Sequence, residues 1–192
     1  RQCRYCGHTE TGVVYAPVQY SVVVDNYIVP GATIVENSIV AVTVVLNKTI
    51  ASVWGFELDV NVPDDNNFEY LGVEDVNANF TVQVADHGEK ISMFAYNITG
   101  VENIAVESDV ELVTLLFRVV APRTTTGATA LDYENAYEFS IDEDTILTLD
   151  ADGEHIGNIV SDPAKVEIGK LLTEGKGKRV YETSMIEDQK AI

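Results

Sequence analysis

Histidine, cysteine and positive charge are scarce in this chain of 192 residues, and each scarcity removes a class of function. The three histidines, His8, His87 and His155, fall in the polar head or beside turns, and no Gly-x-Ser-x-Gly setting accompanies them. Acyl transfer therefore has no nucleophile and base to work with. Phosphate-cradling glycine loops are absent too. The 31 acidic residues could be paired for glycosidic cleavage almost anywhere, so no pair is informative. Twelve Lys and Arg against those acids leave a formal charge of −19, which repels nucleic acid and anionic lipid alike. The longest unbroken apolar runs, such as Ile39-Val40-Ala41-Val42, span a few residues, whereas a bilayer-crossing helix needs about 20. The chain opens on Arg1 with no basic, apolar and small-residue series, which fits either a removed leader or a piece of a longer chain.

What is abundant is β-forming and apolar. The 46% hydrophobic content suffices for a real core. From Ser52 to Val62 the residues Trp54, Phe56, Leu58, Val60 and Val62 alternate with Gly55, Glu57, Asp59 and Asn61, the pattern of a strand with one face buried. Trp54 is placed in the core by that alternation. The pattern stops at Pro63, passes Asp64-Asp65-Asn66-Asn67 and resumes at Phe68. Ile34 to Leu46 reads as a strand apolar on both faces, central in a sandwich, with a break at Asn37-Ser38. Asn79 to Val84 and Lys90 to Tyr96 form a hairpin in which Gly88 takes a left-handed position, which makes Asp86 and His87 turn residues.

Further strands are expected at Val13–Tyr15, Tyr20–Val24, Leu112–Val120, Tyr137–Ile141, Ile146–Leu149, Glu154–Val160 and Lys165–Ile168. No window shows a convincing helical period. The fold class that follows is all-β, an antiparallel sandwich of about nine strands. Residues 1–19 read as a head with a lead-in strand, 20–169 as the sandwich, and 170–192 as a Gly- and Lys-bearing linker with an extension.

From Ser21 to Ile168 the chain resembles the cohesin family, the β-sandwich modules of scaffold proteins that capture dockerin modules. The likeness rests on Val29-Pro30-Gly31-Ala32-Thr33 before a Val-rich strand, on WGFELDVNVPDDNNFEYLGVEDV, on LVTLLFRVVA and on the closing KVEIG. The resemblance implies a jelly-roll-type sandwich that binds protein through one sheet face and performs no catalysis. It implies no particular contact residues.

Several smaller motifs carry chemistry of their own. Cys3-Arg4-Tyr5-Cys6-Gly7-His8 looks like one knuckle of a zinc ribbon, but the second ligand pair is missing, which disfavours zinc. A small disulfide, a crosslink to another chain and free thiols remain as readings of Cys3 and Cys6. Asp150-Ala151-Asp152-Gly153-Glu154 has part of a calcium loop, though Thr148 and Ile159 stand where the first Asp and closing Glu belong, so a hairpin turn is favoured. Asp142, Glu143 and Asp144 could add oxygens to such a calcium site from the adjoining turn, and Asp64-Asp65 offer another cluster. Three Asn-x-Thr sequons, at Asn47, Asn79 and Asn97, point to a secretory route and an extracellular or cell-surface location.

Three functions fit these features. The first is a secreted cohesin-like scaffold module with a dockerin-like protein partner. The second is a subunit of an extracellular fibre or sheath, a homo-oligomer in which a terminal extension adds a strand to an identical neighbour. A carbohydrate-binding module ranks third, with Tyr70, Tyr96, Tyr133 and Tyr137 as its candidate platform.

Overall fold

Short runs of Val, Ile and Thr bounded by Asn, Asp, Gly and Pro leave the backbone little choice but extended structure. The computed structural model describes residues 17–47, 53–63, 67–97, 109–121, 123–124, 127–128 and 136–168. In chain order its strands are β1 (Val18–Asn26), β2 (Ile39–Leu46), β3 (Gly55–Asn61), β4 (Phe68–Val76), β5 (Phe80–Asp86), β6 (Lys90–Asn97) and β7 (Val110–Val119). Two short strands follow, β8 (Arg123–Thr124) and β9 (Gly127–Ala128), and then β10 (Ala136–Ile141), β11 (Leu147–Leu149), β12 (His155–Ile156), β13 (Asn158–Val160) and β14 (Ala164–Glu167). One 3-10 turn, Glu143–Thr145, is the single helical element among the described residues. Nine of these strands have four residues or more, in line with the sequence.

Two sheets hold the core between them. The first runs β13-β1-β2-β7-β4, antiparallel except where β13 joins β1. The second centres on β3, which pairs with β6 on one side and with β11 and then β10 on the other. Beyond those, β5 lies outside β6, β12 outside β11, and β14 outside β10. Strand β2 is central, as its two apolar faces require: Val40, Val42, Val44 and Leu46 are fully buried and Val45 is nearly so. A register shift at Val44/Val45 accompanies that double burial. Asn37, just before β2, has φ 68°, a left-handed position that asparagine tolerates better than most residues.

Aromatic rings and one polar chain tie the layers together. Tyr20 of the first sheet meets Phe56 of the second with centroids 6.0 Å apart. Its hydroxyl shares a 2.8 Å hydrogen bond with the Thr148 hydroxyl, which in turn donates to the Asn158 side-chain oxygen. Tyr20 and Thr148 are both fully buried, so each polar atom needs its partner. Burial pushes the Tyr20 phenol well above its ordinary pKa and keeps it protonated. Tyr20→Phe is expected to destabilise the fold by about 1–2 kcal/mol, since Thr148 retains Asn158 as a partner. Chemical denaturation of the two proteins checks this; a loss near zero would mean that the chain adds nothing.

Three expectations change. Trp54 is 40% exposed and lies outside the core, while Val53 before it is buried. The alternation breaks because Gly55 and Phe56 are both buried in succession. Gly55 lets the Ala95 carbonyl oxygen approach to 3.0 Å from where a Cβ would stand, so the backbone there is covered without a side chain. The run Glu154–Val160 is also two strands rather than one. His155–Ile156 pairs in the second sheet, and Asn158–Val160 pairs in the first, with Gly157 between them. Finally, β1 begins at Val18, so the sandwich starts inside the segment assigned to the head. The expected strand at Val13–Tyr15 lies outside the described residues.

Candidate functional site

An antiparallel strand sends alternate side chains to opposite faces, so β6 should hide one set and show the other. Ile91, Met93 and Ala95 are buried in the core. The opposite set is Ser92, Phe94 and Tyr96, and here an aromatic pair faces outward: Phe94 is 44% exposed and Tyr96 is half-buried. Their ring centroids stand 5.9 Å apart. Cross-strand register extends the pair into rows. Leu149, Gly55, Tyr96 and Thr81 form one, and Leu147, Glu57, Phe94 and Gln83 form the next.

These rows make an apolar surface on the outside of the second sheet. Leu147 and Leu149 are half-buried, and Gly55 between Leu149 and Tyr96 contributes no side chain, which leaves a dip in the face. Farther along β3 the same face turns acidic. Asp59 and Asp142 both approach the Lys90 ammonium, Asp59 at 3.8 Å and Asp142 much closer. The hydrogen bond from Lys90 holds the Asp142 carboxyl below the usual carboxylate range and raises the Lys90 pKa in return. Asn61 donates to the hydroxyl of Ser140, its direct cross-strand partner on β10. The whole suits a protein surface that brings apolar side chains to one end and cationic ones to the other.

The residues singled out from sequence are distributed elsewhere. Cys3 and Cys6 lie outside the described residues. Asp142 and Asp144 serve the 3-10 turn, where the Asp142 carboxylate accepts from the Asp144 amide at 3.2 Å. Asp150 accepts from the Asp152 and Glu154 amides, each at 2.9 Å, and Gly153 has φ 78°, which makes this a side-chain-stabilised hairpin turn. Among the described residues, no group of three or more His, Cys, Asp or Glu side chains is placed to share an ion.

Of the sequons, Asn79 is exposed, Asn47 is half-buried with its side-chain oxygen shut away from solvent, and Asn97 is only 5% exposed. Tyr96 alone among the proposed sugar platform stands in the aromatic pair. Tyr137 is buried and accepts a hydrogen bond from Asn67, Tyr70 packs on Phe117, and Tyr133 lies outside the described residues. Sequence reasoning missed Phe94, Leu147 and Leu149. The available signal was the unbroken Met93-Phe94-Ala95-Tyr96, which puts apolar residues on both faces of one strand.

No protein-family model matches the sequence. No curated protein matches it either. Solved structures do, and they define the class: the chain has the cohesin fold. A type I cohesin–dockerin complex from Clostridium thermocellum matches with TM-score 0.58 at 17% identity, over 85% of this chain and 100% of that one. A non-cellulosomal cohesin from the hyperthermophilic archaeon Archaeoglobus fulgidus matches with TM-score 0.53 at 14% identity, over 85% and 96%. The cohesin module of a family 33 glycoside hydrolase from Clostridium perfringens matches with TM-score 0.58 at 11% identity, over 81% and 98%. Among the described residues no helix is long and apolar enough to cross a membrane.

Proposed function

We propose that this chain is a non-catalytic protein-binding scaffold module that docks a protein partner on the outer face of β11, β3, β6 and β5. The observation that carries the proposal is Phe94, 44% exposed beside Tyr96 on a sheet face where solvent alone would favour polar side chains. Partly exposed aromatics of this kind become buried anchors when a partner covers them, and such anchors dominate protein interfaces. Dockerin modules are the partner class to try first, because similar folds have been solved in complex with dockerins. The acidic end of the face, with Glu57, Asp59 and Asp142, favours a partner that carries lysine or arginine at its rim.

An extracellular or cell-surface location accords with the exposed sequon at Asn79. Mass spectrometry of the protein secreted from its own source is expected to find a glycan on Asn79. A glycan on Asn97 with Asn79 bare would contradict the folded arrangement. The docking reading is tested by calorimetric titration of the module with a panel of dockerin modules, beginning with those of the solved complexes that share its fold. Binding by at least one is expected, lost in Phe94→Glu and retained in Val23→Glu, a control on the outer face of the first sheet. Failure of every dockerin would reject that partner class.

A further inference from the structure

Sheet edges are ready-made pairing surfaces, and proteins usually blunt them with charge, bulges, proline or brevity. Three of the outer strands here are blunted in that way. Strand β4 carries Glu69, Glu74 and Asp75, register shifts at Tyr70/Gly72 and Val73/Asp75, and Gly72 at φ 136°. Strand β13 has three residues, and β14 carries Lys165 and Glu167 after Pro163. Strand β5 has none of these devices. Its seven residues, Phe80-Thr-Val-Gln-Val-Ala-Asp86, pair with β6 without a register shift and hold a single charge, at the last position. In a chain of net charge −19 such a neutral edge stands out.

We infer that the outer edge of β5, which no other described strand pairs, joins antiparallel to the β5 edge of a second copy of this chain, about a twofold axis at Gln83. The hairpin fixes which backbone groups turn away from β6. His87 donates to the Lys90 carbonyl at 2.9 Å, and bonded pairs recur at every second residue of an antiparallel ladder, so Ala85, Gln83 and Thr81 turn their amides to β6. Val82, Val84 and Asp86 turn theirs outward. An axis at Gln83 then sets Val82 of one copy against Val84 of the other as a bonded pair, and Thr81 against Ala85. Every one of those positions is uncharged, and the half-buried Val82 and Val84 side chains continue the apolar inner face from one copy into the next. The two Asp86 carboxylates sit six residues apart along the joined strands, roughly 20 Å, well beyond a Debye length of about 8 Å in physiological salt. What opposes pairing is the net charge of each copy, so association should strengthen as salt is added.

Sedimentation of the full chain at low and high sodium chloride over a range of protein concentrations tests this without any partner present, so it is read independently of the docking proposal. A monomer–dimer equilibrium that shifts toward dimer with added salt is expected. Gln83→Lys places two lysines together at the axis and should raise the dissociation constant roughly tenfold or more. Val84→Pro removes an outward amide that β6 does not use, and should weaken the dimer while the hairpin persists. Circular dichroism confirms that both variants fold. A monomer under every condition, or a dimer indifferent to both substitutions, would overturn the inference.

Discussion

Phe139→Ala is expected to cost about 3–5 kcal/mol of folding stability. Phe139 is fully buried in β10 of the second sheet, and its ring meets two rings of the first sheet, Phe68 and Phe117, each with centroids 5.1 Å apart. Those three extend to Tyr137 and Tyr70, so one side chain links aromatic contacts across both layers. Alanine leaves a cavity that the surrounding strands cannot close without giving up their ladders. Since a domain's whole stability is about 5–15 kcal/mol, the variant should be marginal at room temperature. Urea unfolding measures the effect as a fall in midpoint at unchanged slope. A loss below about 1 kcal/mol would show that the inter-sheet cluster is not where the stability lies.

Phe94→Glu should do the opposite, sparing the fold and removing the proposed partner binding. The side chain is 44% exposed on the face of β6 opposite the buried Ile91, Met93 and Ala95, so its replacement changes unfolding little. For a protein partner the change exchanges an apolar anchor for a buried charge, on a face that is already acidic. Loss of an anchor alone costs about 2 kcal/mol or more, a weakening of about 30-fold, and the unpaired charge adds to it. Titration calorimetry reads the affinity and thermal unfolding reads the fold. Equal affinity for the two proteins would exclude Phe94 from the interface.

Much of the fold was legible because a two-residue period leaves few options. Phe56, Leu58, Val60 and Val62 are inside as their alternation requires, β2 is central as its double apolar pattern requires, and Gly88 adopts φ 82° in the hairpin. Two of the departures share a cause: glycine interrupts the two-residue period of the strand. At Gly55 it ends the alternation and strands Trp54 outside the core, and at Gly157 it lies where the chain passes from one sheet to the other.

The proposed docking face was harder to read. Periodicity reports which side chains face the core, but it cannot say that Phe94 on β6, Leu147 on β11 and Gly55 on β3 meet on the other side. That juxtaposition depends on strand order, and β11 reaches β3 from almost a hundred residues away in sequence. The acidic turns were legible in part: the missing loop positions at Thr148 and Ile159 favoured a hairpin turn, and Asp150 accepts from the amides of that turn, as Asp142 does in the 3-10 turn while also pairing with Lys90.

The central claim, that a protein partner docks on the outer face of β11, β3, β6 and β5, is tested most directly by nuclear magnetic resonance of the isotope-labelled module as a dockerin is added. Chemical-shift changes are predicted to cluster on Phe94, Tyr96, Leu147, Leu149, Glu57 and Gly55. Changes centred instead on Val23, Leu71, Val73 and Ile159, the large exposed apolar residues among the described residues of the first sheet, would contradict the account.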